Sequence, residues 1–438
     1  MLVGVAEDPP PPTLKVNSGY ATSVLSKFSL GNFKTFERLE LALGQITVLI
    51  GPNGSGKSSV VEAMMLLRQS VGQGKLVLTG PYLNLPELSP LPIARSSRHI
   101  LRFELQGHRL VRDRGLPEQA VDFTYELECS ALNGTVQANA ATYSWADGRL
   151  SSAWPGDQAR REVDWPGLQG AVGIVAGNTI GTPFGIASTR GDATGRVNEL
   201  QLVLTALGAE INSWRFVPPL RGFSQPDYAL QRNRLQELRS DSTHSEQSAA
   251  VASTLGMEEQ TERQVSEWVQ EVTGVAIKHA LGENQRIGLS SLSRETREPI
   301  PLVSEGFGTN QLIWMMFQLA KTPEAGTIAI EEPEIHLHPF AIARLGELLT
   351  RVSNERRLSL ILTTHSDDLL YSLLNNVAAR ELKAAQLSVY YLNKEAGPST
   401  ATRLGVTDKG MVKGGLPGFY DATIQAQRRH IDALSKNA

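Results

Sequence analysis

From Val24 the chain clusters β-branched and aromatic residues in "VLSKFSLGNFKTFERLELALGQITVLI" (24–50). That pattern predicts two strands about a turn at Gly31–Asn32, then a wholly apolar strand ending at Ile50. Segments 100–106, 121–129 and 141–146 ("ILRFELQ", "VDFTYELEC", "ATYSWA") repeat the signature between Gly, Asn and Asp turns and predict an antiparallel lobe. Between about 190 and 280 the period lengthens: Val265, Trp268, Val269 and Val272 fall at i, i+3, i+4 and i+7, one apolar face of a helix. "RSDSTHSEQSAA" (239–250) predicts a mobile loop between helices. Leu312, Met315, Met316 and Leu319 form a second helical stripe. Thr327–Ile330 and the apolar part of "LSLILTTHSDDLL" (358–370) are short runs that break into polar residues, the pattern of buried parallel strands reaching a sheet edge.

Composition narrows the class. With 438 residues and 41% hydrophobic content, two or three structural units are expected. No apolar run is long enough to cross a bilayer, so no membrane partner is expected. Cys129 is the only cysteine and the opening lacks a charged leader, which leads to the expectation of a cytoplasmic protein. A net charge of -3 argues against a wholesale basic nucleic-acid binder but leaves room for a local basic strip. The proline-rich opening (1–22) reads as a disordered or polyproline extension. No internal repeat is visible.

The candidate chemistry sits at the strand ends. "IGPNGSGKSS" (50–59) lies between an apolar strand and the helical "VVEAMMLL", the context that makes G-x-x-x-x-G-K-[ST] a phosphate loop. Gly51 and Gly56 let the backbone curl, and Asn53, Gly54, Ser55, Gly56, Lys57, Ser58 and Ser59 would line the phosphates. Lys57 would reach the β- and γ-phosphates and the Ser58 hydroxyl would sit on Mg²⁺. In "GTIAIEEPEIHLHP" (326–339), Glu331 would assist the Mg²⁺ shell and Glu332 would orient and deprotonate the attacking water. His365 stands after a third such run, where a side chain could meet the γ-phosphate. The turn from Ser304 to Gly308 opens a helix and would make a second anion cradle. One nucleotide does not need two cradles from one subunit, so this one would serve a nucleotide held by another copy.

Taken together, "NFKTF" (32–36), "GPNGSGKSS", "SEGFG", "IAIEEPEIHLHP" and "TTHS" resemble the ATPase heads of the ABC superfamily, in the branch of SMC, Rad50, RecF and OLD-like proteins. "EEPEIHLHP" is the most specific of them, and "GMVKGGLPGFYD" (410–421) is similar to the tail of that group. The resemblance implies an α/β, P-loop ABC-type ATPase head with an antiparallel β lobe and an inserted helical arm or lid. Its divisions would be 23–185 for the first part of the head, 186–280 for the helical insertion, 281–425 for the second part and 426–438 for a tail. It implies ATP and Mg²⁺ as cofactors, Glu332 as catalytic base, His365 as switch histidine, and Ser304 and Gly306 as signature residues facing a partner's γ-phosphate. Two departures stand out: Glu331 replaces the more usual Asp, and His338 occupies the D-loop aspartate position. "VSEGFG" also lacks the double glycine of transporter heads.

The implied function is an ATPase that forms a homodimer or higher oligomer through an ATP sandwich and regulates a DNA-directed or anti-phage defence effector. OLD nucleases carry a Toprim domain with a D-x-D metal pair. The sequence contains no D-x-D, so a separate nuclease or toxin chain is the expected effector. The alternative is an ATP-gated clamp on DNA or protein. It would need a basic face, for which Arg95, Arg98, Arg102, Arg109, Arg112 and Arg114 are the candidates. A P-loop kinase or GTPase would need a base-reading N-K-x-D or lid arginines, which are absent. No Q-loop glutamine is assignable among Gln69, Gln106 and Gln119, and Arg221 in "FVPPLRG" (216–222) is either a phosphate neighbour or a surface arginine.

Overall fold

The computed structural model describes residues 24–85, 100–111, 119–132, 135–145, 148–153, 172–176, 184–189, 193–231, 244–292, 298–395 and 397–415. The expected N-terminal extension, the 426–438 tail and most of "GLPGFYD" lie outside them.

A six-stranded sheet carries the strand ends of interest. Its order is Arg215–Val217, Thr327–Glu331, Ser359–Thr364, Ile46–Ile50, Leu387–Asn393 and Thr400–Leu404, parallel except for the last strand. Every residue of Ile46–Ile50, Thr327–Glu331 and Ser359–Thr364 is buried, as expected where both faces are covered. Alternate side chains enter two cores. Leu49, Ala329, Ile361 and Tyr390 pack with the Lys57–Ser70 and Ala193–Ser213 helices and the antiparallel lobe. Val48, Ile330, Leu360 and Leu362 pack with the helices Glu259–Thr273, Phe307–Lys321, Pro339–Arg356 and Asp367–Ala378. Glu331 pairs with Thr363 and Thr363 with Leu49, so the three ends emerge at one edge.

The antiparallel lobe runs in the order Phe36–Ala42, Val24–Phe33, Ile100–Val111, Gln119–Leu132, Thr135–Trp145 and Gly148–Ala153. Its first turn is at Lys34–Thr35, not at Gly31–Asn32 as the sequence suggested. Gly31 instead lies mid-strand, opposite Arg38 and Arg102, where an added Cβ would come within 3.1 Å of the Arg102 Cβ. Asn32 keeps a positive φ and donates from Nδ2 to the Ile100 carbonyl at 2.8 Å.

The stretch 186–280 is less purely helical than expected. After the Ala193–Ser213 helix it supplies the Arg215–Val217 edge strand to the parallel sheet, and later joins a small sheet of Asp227–Ala229, Arg286–Leu292, Ala276–Gly282 and Pro299–Pro301. A three-residue strand carries no readable periodicity, which is why it was missed. The expected loop at 239–250 is helical from His244 onward, the helix being His244–Met257. Further along, Ser253 and Thr254 donate their hydroxyls to the carbonyls of Ala249 and Ala250, which satisfies these buried polar groups within the helix. In the Glu259–Thr273 helix the buried residues are Val265, Trp268, Val269 and Val272, as the spacing predicted.

Candidate active site

The phosphate loop is held from below by its neighbours. Gly56 has φ +104, and a Cβ there would sit 2.7 Å from Cζ of Phe36, so the "NFKTF" hairpin packs directly under the loop. At Gly51, φ +150, a Cβ would strike the Leu392 carbonyl at 2.1 Å. Both positions therefore need glycine. The first turn of the Lys57–Ser70 helix has no acidic residue to compete for its N–H groups. Ser55, Gly56, Lys57 and Ser59 are buried, while Asn53, Gly54 and Ser58 face outward. Lys57 is 7% exposed and its Nζ donates to the carbonyls of Gly51 at 2.9 Å and Pro52 at 3.1 Å. Burial pushes its ammonium down to about 8, against the opposing pull of Glu332, Glu331 and Glu334.

Glu331 ends its strand almost fully buried, and the Ser58 hydroxyl donates to it. Burial raises its carboxyl above the ordinary range, an effect that the Ser58 hydrogen bond opposes. Its Oε1 has no protein hydrogen-bond partner. Glu332 leaves the strand at φ +46, its N–H donating to the Thr363 carbonyl at 2.9 Å. Its Oε1 lies 3.7 Å from Nε2 of His365. Burial, then Lys57, lower the His365 imidazole, which favours its neutral form at pH 7.

The structure thus brings Lys57, Ser58, Glu331, Glu332 and His365 to one edge. Ser304 and Gly306 make no hydrogen bond or ion pair with residues 51–59 among the described residues. Ser304 is exposed and Gly306 caps the Phe307–Lys321 helix. That helix start packs against the Glu332–His338 turn, since a Cβ at Gly308 would lie 2.4 Å from the His336 carbonyl. A groove of about 380 Å³ opens there, lined by Gly306, Thr309, His336, His338 and Phe340 among others. His338 caps the next helix, its Nδ1 accepting from the Phe340 N–H. The helix from Phe307 is buried on nearly all sides from Asn310 to Leu319, more widely than its expected stripe.

One residue at the site escaped the sequence reading, and another was left between two readings. Glu334 is buried and accepts from the Thr364 hydroxyl and from the His365 N–H at 3.3 Å, and burial raises its carboxyl. Its signal was the third acid of the run "EEPE". Arg221 is not a surface residue. It is 6% exposed and donates to backbone carbonyls at the end of the acidic strand. Gln69 has a structural role, bonding to the backbone of Val77, Tyr82 and Leu83. Of the six arginines proposed as a basic strip, Arg102 and Arg109 are described. They are an odd number of residues apart on one strand, hence on opposite faces, and each is paired, with Glu128 at 2.8 Å and Glu210 at 2.6 Å. The other four lie outside the described residues.

The phosphate loop, the acidic strand end and the sheet order are those of a P-loop ATPase fold, and the sequence is similar to ATPase families. Residues 24–85 match the family described as "AAA ATPase domain", and residues 204–371 match "AAA domain, putative AbiEii toxin, Type IV TA system". The OLD nuclease of Thermus scotoductus is 23% identical over 368 residues, 78% of this chain and 59% of the relative, so the chain spans about three-fifths of that protein's length. The chromosome partition protein Smc of Methanocaldococcus jannaschii is 42% identical over 53 residues, 12% of this chain and 4% of that protein. Among solved structures, an Smc head domain with an extended coiled coil, bound to the C-terminal domain of ScpA and derived from Pyrococcus furiosus, aligns at TM-score 0.48 and 14% identity, over 87% of this chain and 96% of that one. In sequence, then, the chain is similar to AAA ATPase domains over two separate stretches and to the OLD nuclease over most of its length. Among the described residues no helix is long and apolar enough to cross a membrane.

Proposed function

We propose that this protein binds and hydrolyses Mg²⁺-ATP and closes into a dimer on ATP to regulate a DNA-directed or defence effector. The supporting observation is the convergence of Lys57, Ser58, Glu331, Glu332 and His365 at one sheet edge. Lys57, with the loop and helix N–H groups, would hold the phosphates. Ser58 and Glu331 would hold Mg²⁺, and the buried, unpartnered Oε1 of Glu331 fits that role. Among the described residues no three His, Cys, Asp or Glu side chains form a metal cage. Such a site is ordinary for Mg²⁺, which takes one or two protein oxygens and completes its shell with phosphates and water. The bound ion would neutralise developing phosphate charge. Glu332 would accept the proton of the attacking water, with His365 beside it and Glu334 fixing the turn between them.

The exposed Ser304 and Gly306 fit an anion brought by a second copy. Dimerisation and nucleotide should then be linked. The longer matches, to a nuclease and to an AAA domain named for a toxin system, support an effector role, while the short match to a chromosome partition protein keeps the clamp as the alternative. The two described arginines of the suggested basic strip, both paired, do not support the clamp. Sizing of Glu332→Gln with and without ATP tests the sandwich, with Ser304→Arg as the interface variant. We expect ATP-dependent dimers that Ser304→Arg abolishes. A monomer at saturating ATP, or undiminished turnover in Ser304→Arg, would refute the sandwich.

A further inference from the structure

Arg221 and Asn310 are outside the groups assigned to phosphate, metal or water, yet each is only 6% exposed and each is bonded to backbone near a candidate half-site. The Arg221 Nη1 donates to the carbonyls of Pro218 at 2.8 Å and Glu331 at 2.9 Å. Its Nη2 donates to the Glu332 carbonyl at 3.0 Å and reaches that of Pro333 at 3.5 Å. One residue on, Gly222 has φ +119 and leaves room for Asn310, whose Oδ1 would lie 2.7 Å from a Cβ there. Asn310 accepts from the Phe223 N–H at 2.6 Å and donates to the carbonyls of Phe223 at 2.8 Å and Leu302 at 3.1 Å. Leu302 opens the short turn Leu302–Ser304 that leads to the second anion cradle.

One turn of chain therefore reaches the carbonyls of Glu331 and Glu332 through Arg221 and, by way of the Asn310 side chain, the Leu302 carbonyl on the approach to Ser304. Glu332 adopts φ +46, a conformation unfavourable for a residue with a Cβ, and its backbone is held on both sides, by Thr363 and by Arg221. Arginine suits this place because its planar fork donates from two fixed nitrogens at once, Nη1 to Pro218 and Glu331 and Nη2 to Glu332, where a lysine would offer a single point charge. Burial lowers the guanidinium to about 10, so it remains charged at neutral pH.

We propose that residues 218–223 form a strut that fixes the Glu331–Glu332 turn relative to the Ser304–Gly306 turn, with Arg221 and Asn310 as its positioning residues. This rests on the proposed function for the meaning of the two turns. Loosening the strut would leave the phosphate loop intact, so nucleotide affinity would hold while turnover falls.

The test uses full-length Arg221→Lys, Asn310→Asp and the double variant, with urea midpoints confirming that each is folded. Fluorescent mant-ATP with Mg²⁺ gives affinity, and phosphate release gives kcat and KM. We expect each single variant to lose about 10-fold in kcat, a part of what a displaced general base forfeits. Affinity for mant-ATP should change by less than about 3-fold, and the double variant should fall no further than the worse single, because one strut is broken once. A folded single variant with wild-type kcat, a parallel loss of affinity, or effects that multiply in the double would overturn the strut. Asn310→Asp decides alone if Arg221→Lys does not fold. Should the wild type show no hydrolysis, the proposed function fails while the strut stays testable by amide hydrogen exchange. Binding of Mg²⁺-mant-ATP should then change exchange at 302–306 in the wild type and not in Asn310→Asp, and an equal response in both would overturn it.

Discussion

The antiparallel lobe and the carboxyl edge of the parallel sheet treat charge in opposite ways. On the lobe, charges are paired within the protein, across strands as in Lys27 with Glu104 at 2.9 Å and Arg102 with Glu128 at 2.8 Å, or to the neighbouring helix as in the largely buried Arg109 with Glu210 at 2.6 Å. At the sheet edge, Glu331 and Glu334 are buried with one unpartnered oxygen each, Lys57 rests on backbone carbonyls, and Glu332 and His336 hold positive φ. A chain selected for stability alone would not keep buried, half-satisfied charge and a strained backbone together. The lobe pairs its charges within the protein, whereas the edge leaves buried carboxylate oxygens that a ligand would satisfy.

Substitutions should split along that line. The largest effect is expected at Lys57→Ala, with Mg²⁺-ATP affinity lowered about 100-fold, the upper range for losing hydrogen bonds to a charged group. Calorimetric titration measures it, and near-normal affinity would erase the contrast. The next concerns pH. Because the Lys57 ammonium titrates at about 8, binding above that pH must take up a proton. Affinity should then fall by up to about 10-fold per pH unit between 8 and 10. Lys57→Arg, charged throughout, should be flat, and an equal fall in both would assign the effect elsewhere.

Glu334→Gln should act on stability. Burial raises the folded-state value of Glu334, so its contribution to stability is present below the unfolded value and is lost as pH rises through the folded one. Removing the charge should raise Tm by about 2 °C at pH 8, with the gain vanishing toward pH 4. Thermal scans at both pH values check the sign. The smallest effect is expected on the lobe, where Arg102→Ala breaks an exposed pair and should shift stability by less than about 1 kcal/mol in urea titrations. A larger loss would mean that the lobe too stores function in its charges.

How much of this was legible follows from distance along the chain. The phosphate loop and the acids after Ile330 were readable because an apolar run that breaks into polar residues marks a sheet edge locally, and His365 followed from the same rule. The four buried residues of the Glu259–Thr273 helix were readable from their spacing. Arg221 was not, because its partners lie 110 to 112 residues away and a P-L-R turn looks the same whether buried or exposed. Asn310 was hidden for the same reason, inside a helix whose apolar stripe drew attention to its neighbours. The Gly31 turn was misplaced because glycine also serves where strands approach closely. Of the arginine row, the two described residues, Arg102 and Arg109, fall on opposite faces because side chains alternate along the strand.

The account stands on Glu332 acting on water at a site that binds nucleotide independently of it. Single-turnover phosphate release by Glu332→Gln, measured beside its Mg²⁺-ATP affinity, tests this directly. The account predicts affinity close to wild type and release slowed about 100-fold or more, the scale of a lost general base. Release at the wild-type rate would contradict it.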